Sequence, residues 1–372
     1  MTRIPQRLSL VAQTASILRE AIQSTVWSKW LPGEHYLCMH LQVSRVTLRA
    51  ALAQLEREGL VRGGRGRRRE VLSNGRPAVK PPSSTTVILL TPVPLEAMQR
   101  FALYWTDDLR EHLGKAGYQL EVHESRACYS ARPEPALEML AHRFRPAGWV
   151  LYQSGVQMQR WFSGRALPCV ITGSRHPDVH LPSVDIDYRA ACRHAAGLFL
   201  ARGHRHLAFL NVSSGLAGDR ESEEGFRDAL RALADSRADV LIANHDATVG
   251  DIGRHLDAWL ALPARPTALL VSKAYHVLTA LGHLTRRGIR IPQDASLISR
   301  DDESFMEHVL PTVARYSADP AAMARRISRL VLEMVRDGAI RPRESRLMPE
   351  FVPGESLAAC PGLERPVPTK DK

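Results

Sequence analysis

The sequence predicts an α/β protein: an N-terminal winged helix-turn-helix followed by a two-lobed core built on doubly wound parallel sheets. Three observations lead to this prediction. Positive charge is concentrated before residue 80, apolar residues recur at helical spacing up to residue 58, and strand-like runs alternate with amphipathic helices beyond residue 86. With 372 residues, 44% of them apolar, the chain is long enough for several domains.

The charge distribution separates the N-terminal part of the chain from the rest. Residues 1–80 hold 14 Lys or Arg and 5 Asp or Glu, so they account for +9 of the formal net charge of +11. Such clustering is typical of a domain that neutralises phosphates. We therefore expect double-stranded DNA to be a partner of this part of the chain.

The first domain is predicted over residues 1–72. Apolar spacing indicates helices near 10–22, 34–41 and 45–58, with Ser44 as the N-cap of the third helix and Gly59 at its end. Two short strands, near 60–62 and 69–72, flank a glycine-rich basic tip. Three helices and a basic hairpin together make a winged helix-turn-helix.

A linker and a second domain follow. Residues 73–86 contain three prolines and almost no apolar side chains, which is typical of a linker. The second domain is predicted over residues 87–357, and the tail 358–372 is expected to be disordered. Its predicted strands cover 87–90, 119–123, 148–152, 169–172, 207–211, 240–243, 268–271 and 295–299, and its predicted helices 101–115, 135–143, 189–202, 223–234, 250–261, 275–287 and 320–336.

The third helix carries the candidate DNA-reading residues. A serine N-cap at Ser44 turns the amides of the helix end outward, and Arg45 and Arg49 lie one turn apart with guanidinium groups that suit guanine edges or phosphates. Thr47 can reach a phosphate or a thymine methyl. For Arg49, a solvated charge on the helix face is the alternative. The basic tip adds five candidates for phosphate contact, with a solvated loop as their alternative: Gly64, Arg65, Arg67, Arg68 and Arg69.

The string LPGE, then LQVSRVTLRAALAQLEREGLV, then the glycine-rich basic tip, resembles the GntR-type winged helix over residues 8–72. The resemblance implies that Arg45, Thr47 and Arg49 lie in the major groove, and that the wing at 64–69 lies on the DNA backbone or in the minor groove. One departure is visible: only nine residues, EHYLCMHLQ, separate Pro-Gly from Val-Ser-Arg, fewer than this family usually has.

Several short motifs of the second domain stand in a specific order: KAGY at 115–118, PAGWVL at 146–151, PSVDID at 182–187, RGHRHL at 202–207, EGF at 224–226 and RDD at 300–302. In this order they resemble the LacI-type regulatory core over residues 86–357. The resemblance implies a periplasmic-binding-protein-like fold with a small effector, commonly a sugar or a purine, between two lobes.

Five residues are candidates for effector binding. Asp187 and Asp301 match acidic positions of that cleft, although an N-cap role for Asp187 and a lobe-crossover hydrogen bond for Asp301 are alternatives. This family usually places an arginine three residues before Gly-Phe; here Ser222 stands there, and Arg220 lies two residues earlier. Lys273 replaces part of a usual Asn-Asp pair and can bind a carboxylate or phosphate, or form a salt bridge.

The function predicted from these features is a sequence-specific transcriptional regulator, a homodimeric repressor controlled by a sugar-like effector. The arabinose repressors combine the same two domain types. The alternative is a cytoplasmic enzyme acting on a carbohydrate or nucleotide, with Asp185 and Asp187, or Asp301 and Asp302, as its carboxylates. No phosphate loop, G-x-S-x-G motif or metal-ligand spacing accompanies them. We therefore expect no enzymatic activity, no cofactor and no metal.

Location and redox state follow from what the sequence lacks. It has no apolar run of membrane-spanning length and no signal peptide, so we expect a cytoplasmic protein without a membrane partner. The sequence has five cysteines, an odd number that cannot all pair, and none of them has C-x-x-C spacing. This pattern predicts reduced thiols.

Overall fold

The structure is a computed structural model that describes residues 10–23, 27, 30–63, 69–72, 84–165, 167–232, 238–337 and 342–361. The chain divides into two compact units, residues 1–79 and 80–372. Among the described residues, no helix combines the length and the apolar character needed to cross a membrane. None of the five cysteines forms a disulfide.

The first unit is a helix-turn-helix with a short hairpin. Its helices are α1 (Leu10–Gln23), α2 (Glu34–Leu41) and α3 (Arg45–Arg57), and its antiparallel strands are β1 (Val61–Arg62) and β2 (Glu70–Val71). The helices bury one apolar stripe each around a common core formed by Ala15, Leu18, Leu31, Leu37, Leu48, Ala51, Leu52, Leu55 and Val61. The winged helix-turn-helix prediction agrees with this arrangement.

The second unit alternates strands and helices as predicted. Its helices are α4 (Arg100–Lys115), α5 (Glu134–Phe144), α6 (Val156–Gly164), α7 (Tyr188–Ala201), α8 (Ala217–Arg231), α9 (Val249–Leu260), α10 (Ala274–Arg286) and α11 (Pro320–Asp337). Its strands are β3 (Thr86–Thr91), β4 (Gln119–Glu124), β5 (Gly148–Tyr152), β6 (Cys169–Thr172), β7 (Ser183–Ile186), β8 (His206–Val212), β9 (Asp239–His245), β10 (Ala268–Val271), β11 (Ser296–Ser299), β12 (Ala314–Ser317), β13 (Glu344–Leu347) and β14 (Glu350–Val352).

These strands form two sheets, one in each lobe. The order in lobe 1 is β13-β7-β6-β5-β3-β4, and every neighbouring pair is parallel. The order in lobe 2 is β14-β12-β11-β10-β8-β9, parallel except that β14 runs antiparallel to β12. Helices cover both faces of each sheet: α4 and α11 oppose α5 and α6 in lobe 1, and α7 and α8 oppose α9 and α10 in lobe 2. The predicted doubly wound parallel architecture is confirmed.

The chain crosses between the lobes three times. It leaves lobe 1 after β7, returns through α11 to β13, and crosses again to β14. Helix α6 and the strands β7, β12, β13 and β14 were not among the predicted elements. Helix α8 begins at Ala217, six residues before the predicted start at residue 223.

Two predicted boundaries need correction. Strand β3 already begins at Thr86, whose amide donates to Ser84 Oγ, so the linker is shorter than predicted at its C-terminal end; residues 73–83 lie outside the described part. The tail was expected to be disordered from residue 358, but the Cys360 amide donates to the Arg202 carbonyl at 2.9 Å. Residues 358–361 therefore pack on lobe 2, and residues 362–372 lie outside the described residues.

Gly225 is required by the close approach of α7 and α8. A Cβ atom placed on Gly225 would lie 2.1 Å from the carbonyl oxygen of Arg189, a backbone atom that cannot rotate away. Gly225 lies in α8 and Arg189 in α7. A Cβ atom placed on Gly197 of α7 would have no atom within 4 Å outside the backbone of its own helix.

We predict that Gly225→Ala lowers the free energy of unfolding by about 1 to 3 kcal/mol, because the added methyl forces the two helices apart. Gly197→Ala is the control and should stabilise the protein slightly, since alanine is the better helix former. Chemical denaturation of the full chain measures both effects. Equal stability of the two variants would contradict the predicted clash.

Candidate functional site

Ser44 caps helix α3. Its Oγ accepts a hydrogen bond from the Thr47 amide at 3.1 Å and lies 2.9 Å from Thr47 Oγ1. The capping role predicted for Ser44 is therefore present. The hydroxyl of Thr47 takes part in the same cap, so its predicted contact with DNA competes with a hydrogen bond inside the protein.

The outer face of α3 presents arginines and small apolar side chains. Arg45, Val46, Arg49 and Ala50 are exposed, whereas Leu48 and its helical neighbours are buried in the core. Val46 is 80% exposed. The helix therefore has a solvent-facing surface at its N-terminal end, where recognition helices contact base edges.

Glu34 holds two arginines of this unit. Its Oε2 accepts from Arg49 Nε at 3.0 Å and its Oε1 from Arg69 Nη1 at 2.9 Å, while Arg69 Nε also donates to Glu56 Oε1 at 3.0 Å. The hydrogen bond from Arg69 and that from Arg49 outweigh burial and keep the pKa of Glu34 below its ordinary value. The side chain of Arg49 remains 65% exposed, so Glu34 orients this arginine without covering it.

Arg69 requires a correction. It was predicted to contact DNA as part of the wing, but its guanidinium is bound by two carboxylates and its side chain is only 23% exposed. Arg69 therefore ties the base of the hairpin to α2 and α3. The other wing candidates, Gly64, Arg65, Arg67 and Arg68, lie outside the described residues.

The second candidate site is a cavity of about 110 Å³ between the lobes, at the carboxyl ends of strands in both sheets. Ligands of open α/β sheets bind at such ends. Its lining combines aromatic rings with polar and charged groups, among them Phe101, Trp105, Tyr152, Gln153, Ser154, Ser174, Asp185, Tyr188, Asp219, Lys273 and Arg300. Rings and hydrogen-bonding groups in one cleft suit a polyhydroxylated ligand.

Asp185 is a buried carboxylic acid of this cleft. Its Oδ2 accepts from Ser174 Oγ at 2.5 Å and its Oδ1 from the Ile186 amide at 2.7 Å. Burial is the main cause that raises the pKa of Asp185 to about 7, outweighing these two hydrogen bonds. Near neutral pH the group is therefore divided between an acid that can donate and a carboxylate that can only accept.

Arg300 occupies the floor of the cleft. Its side chain is 1% exposed, and its Nη1 donates to Asp219 Oδ1 at 3.1 Å and to Ser222 Oγ at 2.8 Å. Its Nε lies 3.4 Å from Asp301 Oδ1, and its guanidinium carbon lies 4.3 Å from the centre of the Tyr188 ring. Arg300 was not among the predicted site residues, although it stands in the RDD motif.

Lys273 and Asp301 form the salt bridge that was the alternative for Lys273. The distance from Lys273 Nζ to Asp301 Oδ2 is 3.2 Å. Burial alone would raise the pKa of Asp301, but the charges of Lys273 and Arg300 outweigh it and lower the pKa. Lys273 lines the interlobe cavity, whereas Asp301 lines a neighbouring cavity. Asp301 therefore acts on the interlobe cavity by holding the Lys273 ammonium group in place.

The structure does not support effector contacts by three other predicted residues. Ser222 is buried; its hydroxyl accepts a hydrogen bond from Arg300 and donates one to the Gly218 carbonyl. Arg220 is exposed, and its Nε lies 3.7 Å from Glu224 Oε1. Asp187 caps α7 by accepting from the Ala190 amide at 2.9 Å. None of the three lines the interlobe cavity. The guanidinium of Arg300 therefore lies beside Ser222, the position where the resemblance led us to expect an arginine.

Arg346 and Glu221 form an ion pair between the two lobes. Arg346 of β13 donates to Glu221 of α8 through both Nη atoms, at 2.8 and 2.9 Å. Two parallel hydrogen bonds of this kind fix the orientation of the two charged groups relative to each other. Among the described residues, no group of three or more His, Cys, Asp or Glu could hold a metal ion.

The pKa of Asp185 leads to a prediction about stability. Its folded-state pKa of about 7 lies above its ordinary 3.8, so the folded state holds the proton more tightly and stability declines as the pH rises between these values. We predict that Asp185→Asn raises the free energy of unfolding at pH 8 by up to about 4 kcal/mol and leaves it nearly unchanged at pH 4. Chemical denaturation at both pH values measures this.

The control for this prediction is Asp107→Asn, because the Asp107 side chain is 83% exposed. It should show no such pH-dependent gain. A stability difference for Asp185→Asn that is equal at pH 4 and pH 8 would contradict the assignment.

The chain matches known families in both units. Residues 10–71 match the gntR family of bacterial regulatory proteins, and residues 196–357 match a periplasmic binding protein-like domain. The HTH-type transcriptional regulator CelR of Thermobifida fusca is 24% identical over 231 residues, which are 62% of this chain and 64% of CelR. The chain spans 64% of the length of CelR, and 43% and 52% of two further curated regulators, AglR of Rhizobium meliloti and CytR of Escherichia coli.

Solved structures share the fold. A LacI family transcriptional regulator from Bifidobacterium animalis has a TM-score of 0.64 at 19% identity, covering 75% of this chain and 100% of its own. A complex of the transcriptional regulator CelR with cellobiose has a TM-score of 0.65 at 20% identity, covering 94% of this chain and 100% of its own. The predicted combination of domains is thus confirmed: the chain joins a domain of the gntR family of bacterial regulatory proteins to a periplasmic binding protein-like domain.

Proposed function

We propose that the protein is a sequence-specific transcriptional regulator, a repressor that acts in the cytoplasm as a homodimer. The observation that carries this proposal is the exposed N-terminal end of α3, where Arg45 and Arg49 face solvent on a gntR-family domain. Arg45 has no hydrogen bond or ion pair within the described part of the chain, so its guanidinium is available to a guanine edge or a phosphate.

The proposed effector is a sugar or a sugar derivative bound between the lobes. The cavity combines the rings of Phe101, Trp105 and Tyr188 with hydrogen-bonding groups of both lobes, and one structural neighbour is a complex with cellobiose. Lys273 is the ligand contact that we propose for an acidic group, with Asp301 positioning it. Closure of the lobes around the effector would then change DNA affinity.

The competing enzyme hypothesis has little chemical support. Its candidate carboxylates are engaged in structural contacts: Asp187 caps α7, Asp301 is bound by Lys273, and Asp302 lies 2.6 Å from Arg315 Nε. Asp185, whose pKa burial raises to about 7, accepts hydrogen bonds from the Ser174 hydroxyl and the Ile186 amide, so its oxygens are also engaged in contacts within the protein. We infer that the cleft binds its ligand without converting it.

DNA recognition is tested by selecting binding sites from random duplexes with the full chain. On the selected site, Arg45→Ala and Arg49→Ala should each weaken binding by about 1 to 3 kcal/mol, because each removes a base or phosphate contact. Arg57→Ala is the matched control, since this exposed arginine lies at the opposite end of α3. Absence of any selected site would refute the proposed function, and unchanged affinity of both variants would refute the assigned contacts.

Effector binding is tested by a thermal-shift screen of the full chain against sugars, sugar acids and nucleosides. For an acidic hit, Lys273→Met should weaken binding about tenfold or more, since a hydrogen bond to a charged group is lost. Lys115→Met, at a 69% exposed lysine, is the control. Chemical turnover of the hit would favour the enzyme alternative, and an effector unaffected by Lys273→Met would remove Lys273 from the site.

A further inference from the structure

Val46 is an exposed apolar residue at the N-terminal end of α3. It is the second residue of the helix, between Arg45 and Thr47, and is 80% exposed. A β-branched residue in this setting gains no burial from the fold and is a weaker helix former than alanine. The folded protein by itself therefore gives this side chain no packing role.

The neighbours of Val46 leave it free to approach a flat surface. Ala50 and Ala53 follow at helical spacing, are exposed and have small side chains. Arg49, the larger neighbour three residues on, donates to Glu34, and Val46 remains 80% exposed beside it. Thr47, the other small residue of the first turn, is half-buried and its hydroxyl contacts the Ser44 cap. Val46 therefore offers apolar surface at the point where a recognition helix meets base edges.

The chemistry of the major groove identifies the group that such a side chain can contact. Thymine is the base that displays a methyl group there, next to hydrogen-bonding atoms that a valine cannot use. Arg45 lies beside Val46 and can donate to guanine. Arg49, one turn further, is oriented through its Nε by Glu34.

Resting on the proposed DNA-binding function, we propose that Val46 is a specificity-determining residue that contacts a thymine methyl. Each half-site then contains a thymine close to the base pair that Arg45 contacts. Its role is separate from that of the arginines, because its contact carries no charge and does not depend on salt.

The test combines the loss of one methyl group from the DNA with the loss of the two Val46 methyl groups from the protein. A site selected with the full chain is resynthesised with each thymine replaced in turn by deoxyuridine, which removes only the C5 methyl. Wild-type affinity should fall about fourfold at one thymine per half-site, the effect of burying one methyl. Val46→Ala should bind the unmodified site about fourfold more weakly and lose the response to that replacement.

Val249→Ala is the matched control. Val249 is a 72% exposed valine in α9 of the second unit, and its removal should leave both DNA affinity and the deoxyuridine response unchanged. The proposal is overturned if no thymine shows a methyl effect, or if Val46→Ala retains the wild-type response. Failure to select any site would instead overturn the proposed function itself, so the two failures are distinguishable.

Discussion

The buried charge of Arg300 is the constraint on which the lobe 2 side of the cleft depends. A guanidinium removed from water is tolerated only when carboxylates and hydrogen bonds compensate for the lost hydration. Here Asp219 and Asp301 supply the charge, and Ser222 and Tyr188 complete the surroundings. These partners come from three places in the chain, so one side chain fixes the starts of α7 and α8 and the loop after β11 relative to each other. Through Asp301, the same network sets the position of Lys273 at the start of α10.

The fold was predictable wherever a segment is apolar throughout or regularly amphipathic. Strands β5, β6 and β10, which are buried along their whole length, have the predicted bounds. The missed strands lie where the pattern is weaker: β13 and β14 end their sheets and carry polar residues, and β7 and β12 are four-residue strands at lobe crossings. The start of α8 was missed because its first turns bury small residues, Ala217 and Ser222, which leave little apolar periodicity.

The candidate sites were predictable only in their local features. The caps formed by Ser44 and Asp187 depend on neighbours three residues away, and such contacts can be inferred from spacing. The Arg300 network could not be inferred, because its hydrogen bonds to Asp219 and Ser222 join residues 81 and 78 positions apart. The same holds for Glu34 and Arg69, 35 positions apart. The sequence did show that residue 222 is a serine where the resemblance led us to expect an arginine. That difference indicated a changed set of side chains in the cleft, but it could not identify Arg300 as the arginine that lies beside this position.

In both units, carboxylates bind arginine side chains and so limit how many of them can contact a ligand. Glu34 binds Arg49 and Arg69 in the first unit, and Asp219 binds Arg300 in the second. In the first unit, Arg69 is held by Glu34 and Glu56, and Arg19 forms an ion pair with Glu58 at 2.9 Å, so part of the positive charge is already compensated inside the protein. Each phosphate neutralised by a protein cation changes the logarithmic salt dependence of binding by about 0.9. The formal net charge of this unit is therefore larger than the positive charge that remains available for contact with DNA. For the DNA binding that we propose, the salt dependence then reflects the arginines whose guanidinium groups reach solvent, as those of Arg45 and Arg49 do, and Glu34 orients Arg49.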